Sequence, residues 1–364
     1  MKRILKWIII ASSIFSHNLI VPTGILSTAP VPFNNKEYVK TRIEGLDNIF
    51  RNAITFGKDK VYFGSARGLY VLTKNETKAI KIKGIDDKII FLTIDPDNNI
   101  YFATENNDIY IYKNDSSIVQ IEGLPADADV TALALDSMNN LYLGTLAGIY
   151  CLMAGTTKVE KVAWGDYVIY TLAIDHQNNL YFTNNNRDFY SIALSTSENT
   201  SSFIKKLNES IYTMGIDQDD DVYLGNYVYQ SKTKELKEIN LRDKSILSIA
   251  IDQDDDVYYC SFLDGVYFLK KGTNQVIKTN LFGREVQTIA IDHNANIIVK
   301  NDEGSFIFQV FKPPVVPPPA VKEKNMVVAR VLGYVFLGTS GAVGMSCLGT
   351  YLWNKYRYKK NHRK

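Results

Sequence analysis

Two pentapeptides concentrate carboxylates: Asp217-Gln-Asp-Asp-Asp221 and Asp252-Gln-Asp-Asp-Asp256. Clustered carboxylates are what a hard cation such as calcium takes as ligands. An EF-hand loop, however, needs glycine at its sixth position and glutamate at its twelfth. Here the sixth is Val222 or Val257, and the twelfth is Val228 or Leu263. The equivalent slot of another stretch holds Asp136-Ser-Met-Asn-Asn140, which carries little charge. The clusters therefore read as turns, and no metal site is expected. Nucleophile–base chemistry finds no better footing. His176 and His293 each directly follow an aspartate of a repeated phrase, where a catalytic histidine would be expected to break the repeat. Cys151 and Cys260 fall in apolar runs and read as buried free thiols, and Cys347 completes no spaced framework. No Ser-x-Asp-x-Gly-x-x-Trp box of the sialidase type occurs. No catalytic residue and no cofactor is nominated.

The elements that carry these residues repeat. Leu133-Ala-Leu-Asp-Ser-Met-Asn-Asn-Leu-Tyr-Leu-Gly-Thr145 returns as Leu92–Thr104 and Leu172–Asn184, and again around Asp217, Asp252 and Asp292. A degenerate first copy runs Ile54–Gly64. Its aromatic slot falls at Tyr62, Tyr101, Tyr142, Tyr181, Tyr223, Tyr258 and, in the last copy, Ile298, with spacings of 39, 41, 39, 42, 35 and 40 residues. A fixed period of this length marks a repeat architecture. Each copy reads as four strands. In the third they are a buried strand A at 130–135, strand B at 141–145, strand C at 148–152 and a polar, alternating strand D at 158–162. Between A and B, Asp136 and Asn139-Asn140 suit a tight turn, because Asn tolerates left-handed backbone and Asp caps turns. A buried inner strand with a solvated outer one fits a propeller blade. The last copy lacks strand D, and 38–46 resembles the strand D region 117–124. The fold expected is therefore all-β, a seven-bladed β-propeller over 36–311, closed by an N-terminal strand that leaves no open sheet edge.

The chain carries +2 overall, yet Lys2, Arg3, Lys6, the six basic residues from Lys355 to Lys364 and the excess over 322–330 together hold +11. Residues 7–321 are thus left with −9. An acidic body argues against nucleic acid, which needs a basic footprint. The N-terminus, a basic start followed by an apolar run to about Ala29, reads as a secretory signal over 1–29, cleaved or retained as an anchor. Residues 331–353 hold no charge, enough for a transmembrane α-helix. The basic tail that follows, 354–364, is expected in the cytoplasm. The Pro-rich segment 312–325 reads as a polyproline spacer of roughly 40 Å between body and membrane. Gly338, Ala342 and Ser346 recur every fourth residue, which permits helix–helix self-association.

Asn139-Asn-Leu-Tyr-Leu-Gly-Thr-Leu-Ala-Gly-Ile-Tyr150 resembles the two-component-regulator propeller repeat and, less closely, the NHL repeat. The resemblance runs loosely through all seven copies, with Tyr where the regulator family usually has Trp. It implies the propeller fold and an extracytoplasmic position. The regulator family usually adds a sandwich domain and a kinase. Here about eleven residues follow the apolar segment, too few for autonomous signalling.

Ligands of propellers usually sit over the central channel, on the face of the D–A and B–C loops. Loops that depart from the repeat are where function concentrates. The residues nominated there are Arg67, Arg187 and Tyr227 after strand B, and Asp166, Tyr167, Arg242 and Arg284 after strand D. The function expected is a membrane-anchored, non-enzymatic surface binding module, adhesin-like or receptor-like, for a protein or glycan on another surface. The alternative is an extracytoplasmic ligand sensor that signals through a membrane partner. A propeller hydrolase or lyase is the remaining class.

Overall fold

A computed structural model describes residues 31–310 except Asn35, 47–48, 163–166, 195–200, 242–244, Phe262, Asn274, 280–281 and 283–284. The signal segment, the spacer, the membrane helix with Gly338, Ala342 and Ser346, and the basic tail lie outside the described residues. Among the described residues, no helix is long and apolar enough to cross a membrane.

The fold is all-β, a seven-bladed propeller, as expected. Blade 3 shows the unit: strand A Val130–Leu135, strand B Leu141–Thr145, strand C Gly148–Leu152 and strand D Val159–Lys161, antiparallel in that order. The register pairs Leu133 with Leu143, Leu143 with Tyr150 and Tyr150 with Lys161. All five residues of strand B are buried, because neighbouring blades cover both of its faces. Two of the three residues of strand D are exposed, since it is the outer edge.

The protein has no single core. Seven apolar clusters each bridge two adjacent blades. One joins Tyr142 and Cys151 of blade 3 to Leu180 and Phe182 of blade 4. Another joins Ile298 and Ile307 of blade 7 to Ile49 and Phe63 of blade 1, which closes the ring. Stability in such an array is approximately a sum of blade and nearest-neighbour terms.

Strand D of blade 7 is supplied by the N-terminal segment Lys36–Arg42, slightly earlier than the 38–46 expected. It pairs antiparallel with Gly304–Val310, from Tyr38↔Val310 to Arg42↔Phe306. Past Arg42 the chain leaves for blade 1, turning at Gly45 with φ +78°. Val31–Phe33 adds a fifth strand outside it, and Phe33 meets Phe268 of blade 6 edge-on at 5.3 Å.

The aspartate of the repeat staples the A–B turn. Asp136 Oδ1 accepts from the Met138 and Asn140 amides, and its Oδ2 accepts from Asn140 Nδ2 at 2.8 Å. Asp95, Asp175 and Asp292 bind their fourth-following asparagine in the same way. The residue between is left-handed in six blades: Asn98, Asn139, Asn178, Asp220, Asp255 and Ala295. Its side chain reaches back to the preceding blade. Asn178 accepts from the Ser137 amide, Asp220 from His176 and Asp255 from Gln218. Pro96 has no amide to offer and Ala295 has no acceptor, so this girdle of turn-to-turn bonds is interrupted at both. The two acidic pentapeptides and His176 are parts of it, whereas His293 sits in the turn of blade 7.

Candidate functional site

Strand A of a blade enters from the D–A loop and lines the central channel. Near its start the pairing with strand B slips by one residue. The register jumps from Ile89 to Phe91, from Val130 to Ala132, from Ile169 to Thr171 and from Ile246 to Ser248. A bulge of this kind re-aims the skipped side chain. The skipped residues are Ile90, Thr131, Tyr170 and Leu247. Phe50 occupies the same slot inside a longer irregularity between Ile49 and Ile54. Tyr212 and Gln287 hold it just ahead of strands Met214–Ile216 and Thr288–Ile291. All seven line one cavity of about 970 Å³ at the channel mouth, on the face of the B–C and D–A loops.

The seven-membered ring reads Phe50, Ile90, Thr131, Tyr170, Tyr212, Leu247 and Gln287 in chain order. It is mainly apolar and aromatic, and it is open to solvent. Tyr212 is 55% exposed and packs against Tyr170 in a tilted ring pair, with centroids 4.7 Å apart. Burial and the neighbouring Tyr212 raise the Tyr170 hydroxyl above the ordinary tyrosine range. Leu146, from the B–C turn of blade 3, is also exposed over the mouth. Lys88 lies at the rim, with Nζ 5.1 Å above the Phe50 ring and paired with Glu105. Lys300 enters from strand B of blade 7 (Ile297–Asn301). Below the ring the channel narrows into cavities of about 250 and 170 Å³, walled by inner-strand residues such as Met214, Ile249 and Leu133.

The mouth is held by caps on the B–C turns. The last residue of strand B is Ser, Thr or Asn in six blades, and Leu224 in blade 5. Thr145 Oγ1 donates to the Gly148 carbonyl and accepts from the Ala147 amide. Asn184, Ser261 and Asn301 accept from the turn amides of Asn186, Asp264 and Glu303. A rigid rim is what a preformed site requires.

Of the seven residues nominated from sequence, the four that the structure describes, Arg67, Tyr167, Arg187 and Tyr227, do not line the funnel. Arg67 is exposed on the B–C turn of blade 1, next to the lining residue Ala66. Arg187 is left-handed and exposed, and its guanidinium donates to the Asn208 carbonyl at 3.0 Å, tying the blade 4 turn to the next D–A loop. Tyr167 is half-buried and stacks on Tyr190 at 6.1 Å. Tyr227, expected on a loop, is only 6% exposed and packs in the cluster between blades 4 and 5, because strand C already begins there. Asp166, Arg242 and Arg284 lie outside the described residues. The ring itself escaped notice because strand A reads as an uninterrupted apolar run. The available signal was variation: the slot runs through Phe, Ile, Thr, Tyr, Tyr, Leu and Gln while the residue before it stays Ile or Val.

No family model matches the sequence, and no curated protein matches it either. Solved structures do match. Virginiamycin B lyase from Staphylococcus aureus aligns with a TM-score of 0.61 at 15% identity, over 75% of this chain and 98% of that one. The extracellular domain of a one-component system, BT4673 of B. thetaiotaomicron, aligns with a TM-score of 0.61 at 18% identity, over 73% of this chain and 39% of that one. PorZ, a surface component of the type-IX secretion system of Porphyromonas gingivalis, aligns with a TM-score of 0.56 at 14% identity, over 77% of this chain and 40% of its own. At these identities the likeness is one of fold, the seven-bladed propeller.

Proposed function

We propose that this chain is a non-enzymatic, surface-displayed binding propeller whose ligand enters the mouth of the central channel. The observation that carries the reading is the ring of seven residues at the start of the inner strands, four of them at bulges. One comes from every blade, and they leave a Tyr170–Tyr212 pair, Tyr212 exposed and Tyr170 half-buried, in a cavity of ligand size. A core-forming tyrosine would be covered, and Tyr212 is not. The occupant is a small ligand or a group projecting from a protein or glycan on another surface.

An enzymatic reading draws on the lyases. A structure of the Staphylococcus aureus enzyme describes a single histidine-to-alanine change as leaving it catalytically inactive. In this chain His176 and His293 sit in A–B turns, at the far end of the strands from the ring. The funnel lining holds no histidine, cysteine or carboxylate among the described residues. That favours binding without turnover. A second reading, a sensor working through a membrane partner, is favoured by the extracellular-domain neighbours of one- and two-component systems.

The test applies labelled protein to intact cells and to a glycan array. Saturable binding lost in Tyr170→Ala and Tyr212→Ala, but kept in a His176→Ala variant, supports the funnel. Binding that ignores both tyrosines counts against it.

A further inference from the structure

Aligning the seven B strands exposes one residue that breaks the pattern. The fourth slot holds Gly64, Ala103, Gly144, Thr183, Gly225 and Cys260 in blades 1–6, and Lys300 in blade 7. Small residues are needed there because the slot abuts the next blade. A Cβ on Gly64 would lie 2.5 Å from Ile89 Cγ2, and one on Gly144 would lie 2.9 Å from Ile169 Cγ2. Blade 7 instead places the longest aliphatic stem with a charged head into this slot. Lys300 is 9% exposed and lines the funnel.

A lysine this deeply buried is almost always paired. Among the described residues Lys300 has no carboxylate partner, and its ammonium is bonded to the Asn301 carbonyl alone. Desolvation by burial lowers its pKa, only partly offset by the exposed Asp302 nearby. Among the described residues the funnel lining contains two cations, Lys88 and Lys300, and no acid, in a body that is otherwise acidic. Lys88 is already spoken for by Glu105, so Lys300 is the cation with donors to spare. Burying such a charge costs stability unless something completes its coordination.

From this we infer that the funnel takes an aromatic or otherwise apolar ligand carrying an acidic group, with Lys300 as the residue that recognises the anion. The ring supplies apolar and stacking contact for the body of the ligand. The two remaining ammonium hydrogens supply charge-assisted hydrogen bonds to its carboxylate, sulfonate or phosphate. This inference rests on the funnel reading and adds the chemistry of the occupant.

Two fluorescent probes with one skeleton test it: anilinonaphthalene sulfonate, which is anionic, and phenylnaphthylamine, which lacks the sulfonate. Both are titrated into the full chain, and funnel-bound signal is defined as that lost in the Tyr170→Ala/Tyr212→Ala double variant. The expected result is that Lys300→Met weakens the sulfonate by about tenfold or more. The neutral probe should be unchanged, and the variant should melt at the same temperature as the parent or higher. Equal effects of Lys300→Met on both probes, or none, overturn the anion inference and leave the funnel standing. Absence of ring-dependent signal from either probe removes the funnel reading as well. Should Lys300→Met fail to fold, Lys300→Gln replaces it. Salt dependence of the unmutated chain then gives an independent answer, with sulfonate binding weakened by salt and neutral binding not.

Discussion

In four blades the stapling aspartate of the A–B turn accepts a hydrogen bond from the fourth-following asparagine, each time at 2.8 Å. Blade 5 has Asp221 in place of that asparagine, so two carboxylates face each other inside a turn. Burial is the first cause that raises the Asp217 carboxyl above the ordinary range, and the charge of Asp221 adds to it. Replacing Asp221 by Asn should restore the bond found in the other blades. The Asp221 Oδ1 that accepts from the Ser231 amide survives in Asn, as the Asn140–Ala154 contact of blade 3 demonstrates. The gain combines one charge-assisted hydrogen bond with the relief of a like-charge contact, about 2 kcal/mol together. In a domain of this size that raises Tm by roughly 4 °C. A carboxyl whose folded pKa lies above its unfolded value, about 3.9, costs stability above the folded pKa. It costs nothing once both states are protonated. The advantage of Asp221→Asn should therefore be full near pH 7.5 and shrink as pH falls toward 4. Calorimetry of parent and variant across that range is the assay. A variant that melts no higher at pH 7.5, or whose advantage is independent of pH, would refute the reasoning.

Other predictions follow from packing. Gly64→Ala drives a Cβ to within 2.5 Å of Ile89 Cγ2 and 2.8 Å of Ala53 Cβ, and should cost about 1–3 kcal/mol by denaturant titration. Adding Ile89→Val should recover part of that loss. Burial pushes the Cys151 thiol up to about 11 and leaves Cys260 fully enclosed. Both should resist iodoacetamide at pH 8 in the folded chain and react once it is unfolded, read by mass spectrometry. Removing Lys36–Arg42 strips strand D from blade 7 and leaves the outer edge of Gly304–Val310 unpaired, with only Ile297–Asn301 beside it. The expected outcome is aggregation on size-exclusion chromatography, and a monodisperse monomer would contradict closure by this strand.

The sequence carried the blade count and the closure because both depend on local pattern. Asp136 and Asn139-Asn140 announce a turn whose aspartate bonds all fall within five residues, and the period of Tyr62 through Tyr258 repeats it. The candidate site was harder to read, because it is made by the ring and not by any blade. Tyr170 looks like an ordinary inner-strand residue until its bulge is seen, and Tyr212 like one until the strand is found to start two residues after it. Lys300 looks like a solvated charge until its slot is compared with Gly64 and Gly144. In the sequence Arg187 reads as a loop arginine, and in the fold its guanidinium donates to the Asn208 carbonyl. Tyr227 was placed on a loop because Gly225-Asn226 reads as a turn. That turn is so short that strand C starts at Tyr227 itself and carries its ring into the blade 4–blade 5 interface.

The most direct test of the central claim is a structure of the chain bound to the ligand recovered from the cell and glycan screen. The account predicts that ligand seated in the channel mouth, touching Tyr170 and Tyr212 and placing an acidic group on Lys300. A ligand bound instead along the A–B turns of the opposite face, or on an outer blade edge with the funnel untouched, would contradict it.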